Sequence, residues 1–235
     1  MTPKHVVGLS GGKDSTALAL WLVENEPRDY EFICNETGNE LPAMKAHWDR
    51  LERVLQTPLR RVRHSTDLLG LCEEMQMLPN FRMRWCTRIL KIEPTIAYME
   101  SLPEGSTLYV GLRADEEMRR GIFGEDMLIR FPLREQGWTE ADVWRYLDKM
   151  GVTIPPRTDC ALCYHQRLEE WQTLYFEHPA QWAEGIAIEA KTGHTFRSPS
   201  RDTWPVDMKG LGEAFASGRE IRKTNRSTPC RVCSL

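Results

Sequence analysis

The chain has 235 residues, 41% hydrophobic and 28% charged, with a formal net charge of −3 at pH 7. That balance fits an ordinary globular chain of one large domain, or one domain with an extension, and no apolar run reaches the roughly 18 residues of a membrane helix. A membrane protein, a collagen-like or low-complexity chain and a small disulfide scaffold are excluded. The first residues, Met1-Thr-Pro-Lys-His-Val-Val-Gly8, hold no apolar leader, so a cytoplasmic location is expected.

Up to about residue 155, β-rich runs alternate with helical periods. Residues 5–9 read as a first strand, and a helix follows from about Asp14 with Ala17, Leu18, Trp21 and Leu22 on one face. Residues 31–34 read as a second strand; Met44, Trp48, Leu51 and Leu55 then repeat at helical spacing. Residues 59–62, 107–112 and 127–131 read as three more strands. Thr139 with Asp142 forms a capping-box pattern ahead of Val143, Trp144 and Leu147. Strands separated by helices predict a five-stranded parallel-type sheet with helices on both faces. After Pro155-Pro156, residues 166–176 and 179–191 read as two helices, with Pro179 at a first helical position and Gly193 as a C-terminal cap. Residues 197–205 read as a polar loop, and 217–235 as a tail rich in Arg, Ser and Thr. The expected organisation is a nucleotide-binding domain over 1–155 and a helical, cysteine-bearing extension over 156–235.

The strongest chemical signal is Ser10-Gly11-Gly12-Lys13-Asp14-Ser15, between the first strand and the first helix. A turn there gathers backbone N–H groups and the positive end of a helix dipole at one point, which favours an anion. Two glycines let phosphate oxygens approach the backbone. Ser10 and Ser15 add hydroxyl donors, Lys13 adds charge, and Asp14 suits Mg²⁺ or a helix cap. The spacing is not that of a Walker loop. Gly8-Leu9-Ser10-Gly11-Gly12 also matches the G-x-S-x-G nucleophile elbow, but an elbow needs an earlier strand to supply its second oxyanion donor, and this strand is the first.

The loop resembles that of the ATP pyrophosphatases and of the adenosine phosphosulfate and phosphoadenosine phosphosulfate (PAPS) reductases, members of the adenine nucleotide α-hydrolase-like superfamily. Four further segments resemble that family in order. Asn35-Glu-Thr-Gly-Asn-Glu-Leu-Pro42 is similar to its T-G-x-x-x-P turn, and Trp85-Cys-Thr-Arg-Ile-Leu-Lys91 to its cysteine-plus-lysine motif. Gly111-Leu-Arg-Ala-Asp-Glu116, followed by Arg119 and Arg120, is similar to its G-x-R-x-x-E segment. Pro132-Leu133, Trp138-Thr139 and Asp142-Val143-Trp144 are similar to its P-L…W-T…D-V-W stretch. The resemblance spans about residues 5–165.

It implies a Rossmann-like sheet with an adenine nucleotide, ATP or PAPS, across the C-terminal strand ends. It places Thr37, Gly38 and Gly111 near that nucleotide and makes Arg113, Lys91 and Arg88 candidates for the phosphate or sulfate end. A surface ion pair is the alternative for Arg113 with Glu116. The Lys13-Asp14 pair, from which sulfonucleotide reductases commonly depart, favours ATP cleaved at its α-phosphate. The implied catalytic set is Lys13, Asp14, Arg113 and Lys91.

Seven cysteines in such a chain point to metal or redox chemistry rather than disulfides. Cys160-Ala-Leu-Cys163 and Cys230-Arg-Val-Cys233 are C-x-x-C pairs, each able to supply half of a four-sulfur site. Cys34 and Cys72 fall on apolar faces and read as core thiols. Three arrangements stay open. Cys86, Cys160, Cys163 and one of Cys230 and Cys233 hold [4Fe–4S], similar to iron–sulfur members of the superfamily; with Trp85 in place of their first paired cysteine, the last ligand is a tail cysteine or an external group. Alternatively, both pairs hold Zn²⁺, or the tail pair is a mobile redox dithiol. His165 is a substitute ligand.

The function so implied is ATP-dependent activation of an acceptor for sulfur transfer, similar to the sulfur-activating component of DNA phosphorothioation systems. Reduction of PAPS or adenosine phosphosulfate to sulfite and a non-catalytic nucleotide-binding module are the alternatives. The implied partners are a sulfur donor or reductant protein, a nucleic-acid or small-molecule acceptor, and a second copy in a homodimer.

Overall fold

Neighbouring residues of the first strand face opposite ways, and both are buried. Val7 packs with Phe32 and Tyr109 on one face, and Val6 with Ile33 and Leu108 on the other. A strand buried on both faces belongs to a parallel sheet with helices on each side. The computed structural model describes residues 2–116, 127–198 and 202–221. Its strands are β1 (His5–Gly8), β2 (Tyr30–Asn35), β3 (Leu59–Val62), β4 (Thr107–Tyr109) and β5 (Leu128–Arg130). They form one parallel sheet in the order β3-β2-β1-β4-β5. The chain runs from β1 outward to β3 and returns to β4 on the other side of β1. The connections after β1 and β4 therefore part, which leaves a crevice beyond their C-terminal ends.

One face carries α1 (Lys13–Asn25), α2 (Pro42–Leu55) and α7 (Glu140–Lys149), through Leu18, Leu22, Trp48, Leu51, Val143 and Leu147. The expected capping box is present: Asp142 Oδ2 accepts from Thr139 N at 2.8 Å and from Thr139 Oγ1 at 2.6 Å. The other face carries α5 (Glu93–Glu100), through Met99. Before α5 the chain makes a short helix, α4 (Trp85–Thr87), and a π-helical turn, Arg88–Ile92. A short α6 (Pro132–Glu135) precedes α7.

The remaining helices are α3 (Leu68–Met75), α8 (Leu168–Glu177), α9 (Pro179–Thr192) and α10 (Met208–Ala216). They share a separate core: Leu71 and Cys72 of α3 pack with Trp85, Leu162, Trp171, Trp182 and Phe215. Gly193 caps α9 in the left-handed conformation at φ 68°, as its position predicted. The run 107–112, expected as one strand, leaves the sheet after Tyr109. Leu112 N donates to Val110 O at 2.9 Å, a tight turn that carries the next residues toward α1. Among the described residues no helix is long and apolar enough to cross a membrane.

Candidate nucleotide and cysteine site

The predicted phosphate loop lies at the mouth of the crevice. Gly11 has φ +87°, a conformation L side chains avoid, and a Cβ there would come within 2.1 Å of the Met44 methyl of α2. Trp48 Nε1 donates to Ser10 O at 2.9 Å, so α2 clamps the loop from below. Inside the bend, Gly11 N donates to Ser15 Oγ at 3.2 Å, and Ser10 Oγ stands 3.0 Å from Ser15 Oγ. Gly12 is the N-cap residue of α1 and supplies no capping side chain, so the helix presents bare backbone at its positive end.

β4 delivers the second half. Gly111 lies so close to α1 that a Cβ would sit 3.0 Å from the Asp14 carbonyl and from Ser15 N. That approach brings Arg113 against Asp14, Nη1 to Oδ1, at 2.9 Å. Arg113 also donates to Asp115 Oδ1 at 2.8 Å and lies 3.7 Å from Glu116. It is buried, so the surface-pair alternative does not hold. Burial disfavours its charge, but hydrogen bonds to Asp115 and Asp14 outweigh that and raise its pKa. Lys13 Nζ lies 3.0 Å from Asp14 Oδ2 and 3.8 Å from Glu140. Asp14 thus has both oxygens on cations. It does not cap the helix.

The third element is the Asn35–Pro42 turn. Gly38 has φ +79°, and a Cβ there would meet Asp67 Cβ at 2.5 Å. Glu40 Oε1 accepts from Thr37 N at 2.7 Å and from Thr37 Oγ1 at 2.6 Å. Thr37 Oγ1 is 3.2 Å from Cys160 Sγ; because it already donates to Glu40, it faces the sulfur as an acceptor. The C-x-x-C loop is bonded to this turn. Ala161 N donates to Asn39 O at 2.7 Å, Leu162 N donates to Asn39 Oδ1 at 2.8 Å, and Glu40 pairs with Cys160 in a β-bridge.

Cys86, Cys160 and Cys163 line one small cavity with Thr37, Leu90 and Lys91. Burial raises all three thiol pKa values, Cys160 to about 11 and Cys163 well up. Lys91, on the π-helical turn, pulls each back toward the thiolate. It therefore stands on the cysteine cavity's wall, where the resemblance had suggested the anion end. Arg88 pairs at the surface with Glu93, at 2.8 Å. Cys34 and Cys72 are buried core thiols, as expected, each pushed up to about 12 by burial. The His165 ring packs against Tyr164, tilted by 37° with centroids 4.2 Å apart, and is not among the residues lining this cavity.

Among the described residues no three His, Cys, Asp or Glu side chains converge tightly enough for a single metal ion. A cubic cluster is ligated at its corners, so its thiolates stand wider apart than those around one zinc. The cavity gathers three sulfur donors against leucine walls with one lysine, the soft ligand type that a cluster or zinc takes. Cys230, Cys233, Arg119 and Arg120 lie outside the described residues.

Arg157 and Asp159 escaped the sequence reading. They form a buried ion pair at 3.1 Å, and Arg157 Nη2 donates to Cys160 O at 2.8 Å, shaping the loop. An Arg-x-Asp beside a C-x-x-C was the only local signal. One residue on, Thr158 Oγ1 would lie 3.7 Å from a Cβ on Gly12. Segment 157–163 thus runs from the phosphate loop to the cysteine cavity.

Several known proteins are similar to this chain. An uncharacterised protein of Methanocaldococcus jannaschii, MJ0066, is 24% identical over 195 residues, 75% of this chain and 39% of that protein; the chain therefore spans about two fifths of this curated relative. Among solved structures, PAPS reductase from Candida auris, a phosphate complex, superposes with a TM-score of 0.47 at 12% identity, over 66% of this chain and 76% of that one. The U34-tRNA thiolase NcsA from Methanococcus maripaludis, with its [4Fe-4S] cluster, does so with a TM-score of 0.47 at 15% identity, over 96% of this chain and 84% of that one. The phosphoadenosine phosphosulfate reductase domain matches residues 4–159, well over half of the sequence, and the chain belongs to that family.

Proposed function

We propose that the chain binds ATP in the crevice between β1 and β4 and cleaves it to AMP and pyrophosphate, activating an acceptor for sulfur transfer. The observation that carries this reading is segment 157–163, which borders the phosphate loop through Thr158 and the cysteine cavity through Cys160 and Cys163. Two chemistries with no need of each other would not require one connecting loop.

In the first step an acceptor oxygen attacks the α-phosphorus, the bond to the β-phosphate's bridging oxygen breaks, and pyrophosphate leaves. Lys13 and the N-terminus of α1 hold the charge that grows on the leaving group, a positioning and electrostatic role. Arg113 fixes Asp14, which in turn holds Lys13 over the bend. In the second step a sulfide-class donor displaces AMP from the adenylylated acceptor. A [4Fe–4S] cluster held by Cys86, Cys160 and Cys163 would supply soft iron sites for sulfur beside the crevice. Lys91 offsets the negative charge that three thiolates would gather there. Magnesium would enter with the nucleotide, and no step is assigned to it.

The test is anaerobic turnover with ATP. Pyrophosphate release is expected, and Lys13→Ala should lower it about 10²-fold, in line with loss of one transition-state charge contact, while iron content is unchanged. Sulfite released from PAPS, with no pyrophosphate from ATP, would overturn the reading in favour of sulfonucleotide reduction. Nucleotide binding without either product would leave a regulatory module.

A further inference from the structure

Outside the nucleotide crevice, a half-open cleft of about 650 Å³ lies between the loop before α4 and the segment after α9. It adjoins the cysteine cavity, because Tyr164 lines both. Its rim is built to hold side chains outward. Asn80 Oδ1 accepts from Arg82 N and from Met83 N, each at 3.0 Å, and Asn80 and Met83 also exchange backbone hydrogen bonds. This tight turn presents Phe81, 58% exposed, with the Arg82 guanidinium 5.5 Å from its ring centroid. Among the described residues Arg82 has no carboxylate partner. The opposite wall carries Phe196, His194 and the Tyr164–His165 ring pair. Arg197, at the floor, is paired with Asp202 at 2.7 and 2.8 Å, and Arg82 stands at the mouth.

An exposed aromatic at the mouth, a tilted ring pair on the inner wall and a guanidinium with no carboxylate partner among the described residues match one ligand chemistry: a planar base attached to a phosphate. Bases stack on Phe, Tyr and His faces, and Arg takes the backbone. The volume admits a nucleotide unit, within the usual range for bound small ligands. We propose that this cleft binds a nucleotide unit of a single-stranded nucleic acid, its base between Phe81 and the Tyr164–His165 pair and its phosphate on Arg82. Tyr164 then separates the bound base from the cysteine cavity, which makes the strand the acceptor. That acceptor role rests on the sulfur-transfer reading; the binding does not.

The test is fluorescence anisotropy of full-length protein, purified anaerobically, with a short labelled oligouridylate. Its DNA counterpart and a hairpin duplex are parallel probes, and uridine monophosphate is a competitor. Single strands should bind and the duplex should not. Phe81→Ala should weaken binding roughly fivefold or more, and Phe81→Trp should restore it. Arg82→Ala should weaken binding and reduce the salt slope by about one phosphate contact. Phe176→Ala, another exposed aromatic outside the cleft, should leave binding unchanged. RNA binding over DNA, or the reverse, identifies the strand. Equal binding of the duplex, wild-type affinity in Phe81→Ala and Arg82→Ala, or binding of the free monophosphate alone overturns the proposal. Lys13→Ala separates the two readings: it should lose pyrophosphate release and keep strand binding. Strand binding that depends on Phe81 in a protein releasing no pyrophosphate would sink the activity and leave the cleft standing.

Discussion

Arg113 is where the crevice stores most of its electrostatic order. Its guanidinium is buried and faces Asp14, Asp115 and Glu116, so removing it strands carboxylates in a half-dry site. Arg113→Met keeps the length and loses the charge. We expect about 2 kcal/mol of destabilisation in urea unfolding, discounted from a fully buried pair because Asp115 is partly exposed. Nucleotide affinity should fall with it, since Asp14 no longer holds Lys13 in place. The sequence marked Arg113 through its motif, but its burial follows from Gly111 pressing on α1 and had no local sign. The cysteines divide on similar grounds. Cys160→Ser should remove iron and visible absorbance from anaerobically prepared protein, because Cys160 lines the shared cavity. Cys34→Ser should leave both, because Cys34 lies fully buried on β2. Iron and sulfide analysis of the two variants decides between them.

At the scale of elements, the phosphate loop depends on two glycines in different ways. Gly11 needs its left-handed φ, and a methyl there would collide with Met44. Gly12 has φ −72° and ψ 166°, which any residue adopts, and a methyl there would meet Ser10 and Thr158 only at ordinary contact distance. Gly11→Ala should therefore lower stability by about 2 kcal/mol from backbone strain and overlap. Gly12→Ala should stay within about 0.5 kcal/mol of wild type, the range for changes without strain. Thermal melts test the stability claim, and nucleotide titration shows whether the shape of the bend survives. The strand, bend and helix were legible because their signals are adjacent in sequence. The chain from Trp85 to Glu100 was not. Its helical period is interrupted by the π-helical turn Arg88–Ile92, which inserts an extra residue and breaks the spacing. That turn is what sends Lys91 toward the cysteines.

Among the described residues the sheet has a core on each face, and the helices after residue 160 belong to a separate one that also covers α3 and Trp85. Glu189 locks this helical core. It accepts from Phe196 N at 3.0 Å and Met208 N at 2.6 Å, joining α9 to the start of α10. Burial first, and then the charge of Asp207, raise its pKa to about 7, while the two N–H bonds and Arg197 oppose the rise. The folded state thus holds this proton more tightly than the unfolded chain, where the group titrates near 4.5. Its stabilisation is complete below about pH 4.5 and is lost as pH climbs to about 7, a change of about 3 kcal/mol. Glu189→Gln should remove that dependence. Urea midpoints of both proteins, compared across the window, give the difference.

The sequence by itself determined the parallel alternation of strands and helices, the anion-binding bend, the capping box at Thr139 and the core places of Cys34 and Cys72. Each rests on contacts between near neighbours in the chain or on a repeating apolar pattern. Only the tertiary structure decided which loops meet. The bond from Leu162 to Asn39 joins residues 123 apart, and the contact of Cys160 with Thr37 spans the same distance. Such meetings are fixed by strand order and by the packing of the helical core against the sheet, which no local spacing records. They set the cysteine pair beside the crevice where β1 and β4 diverge.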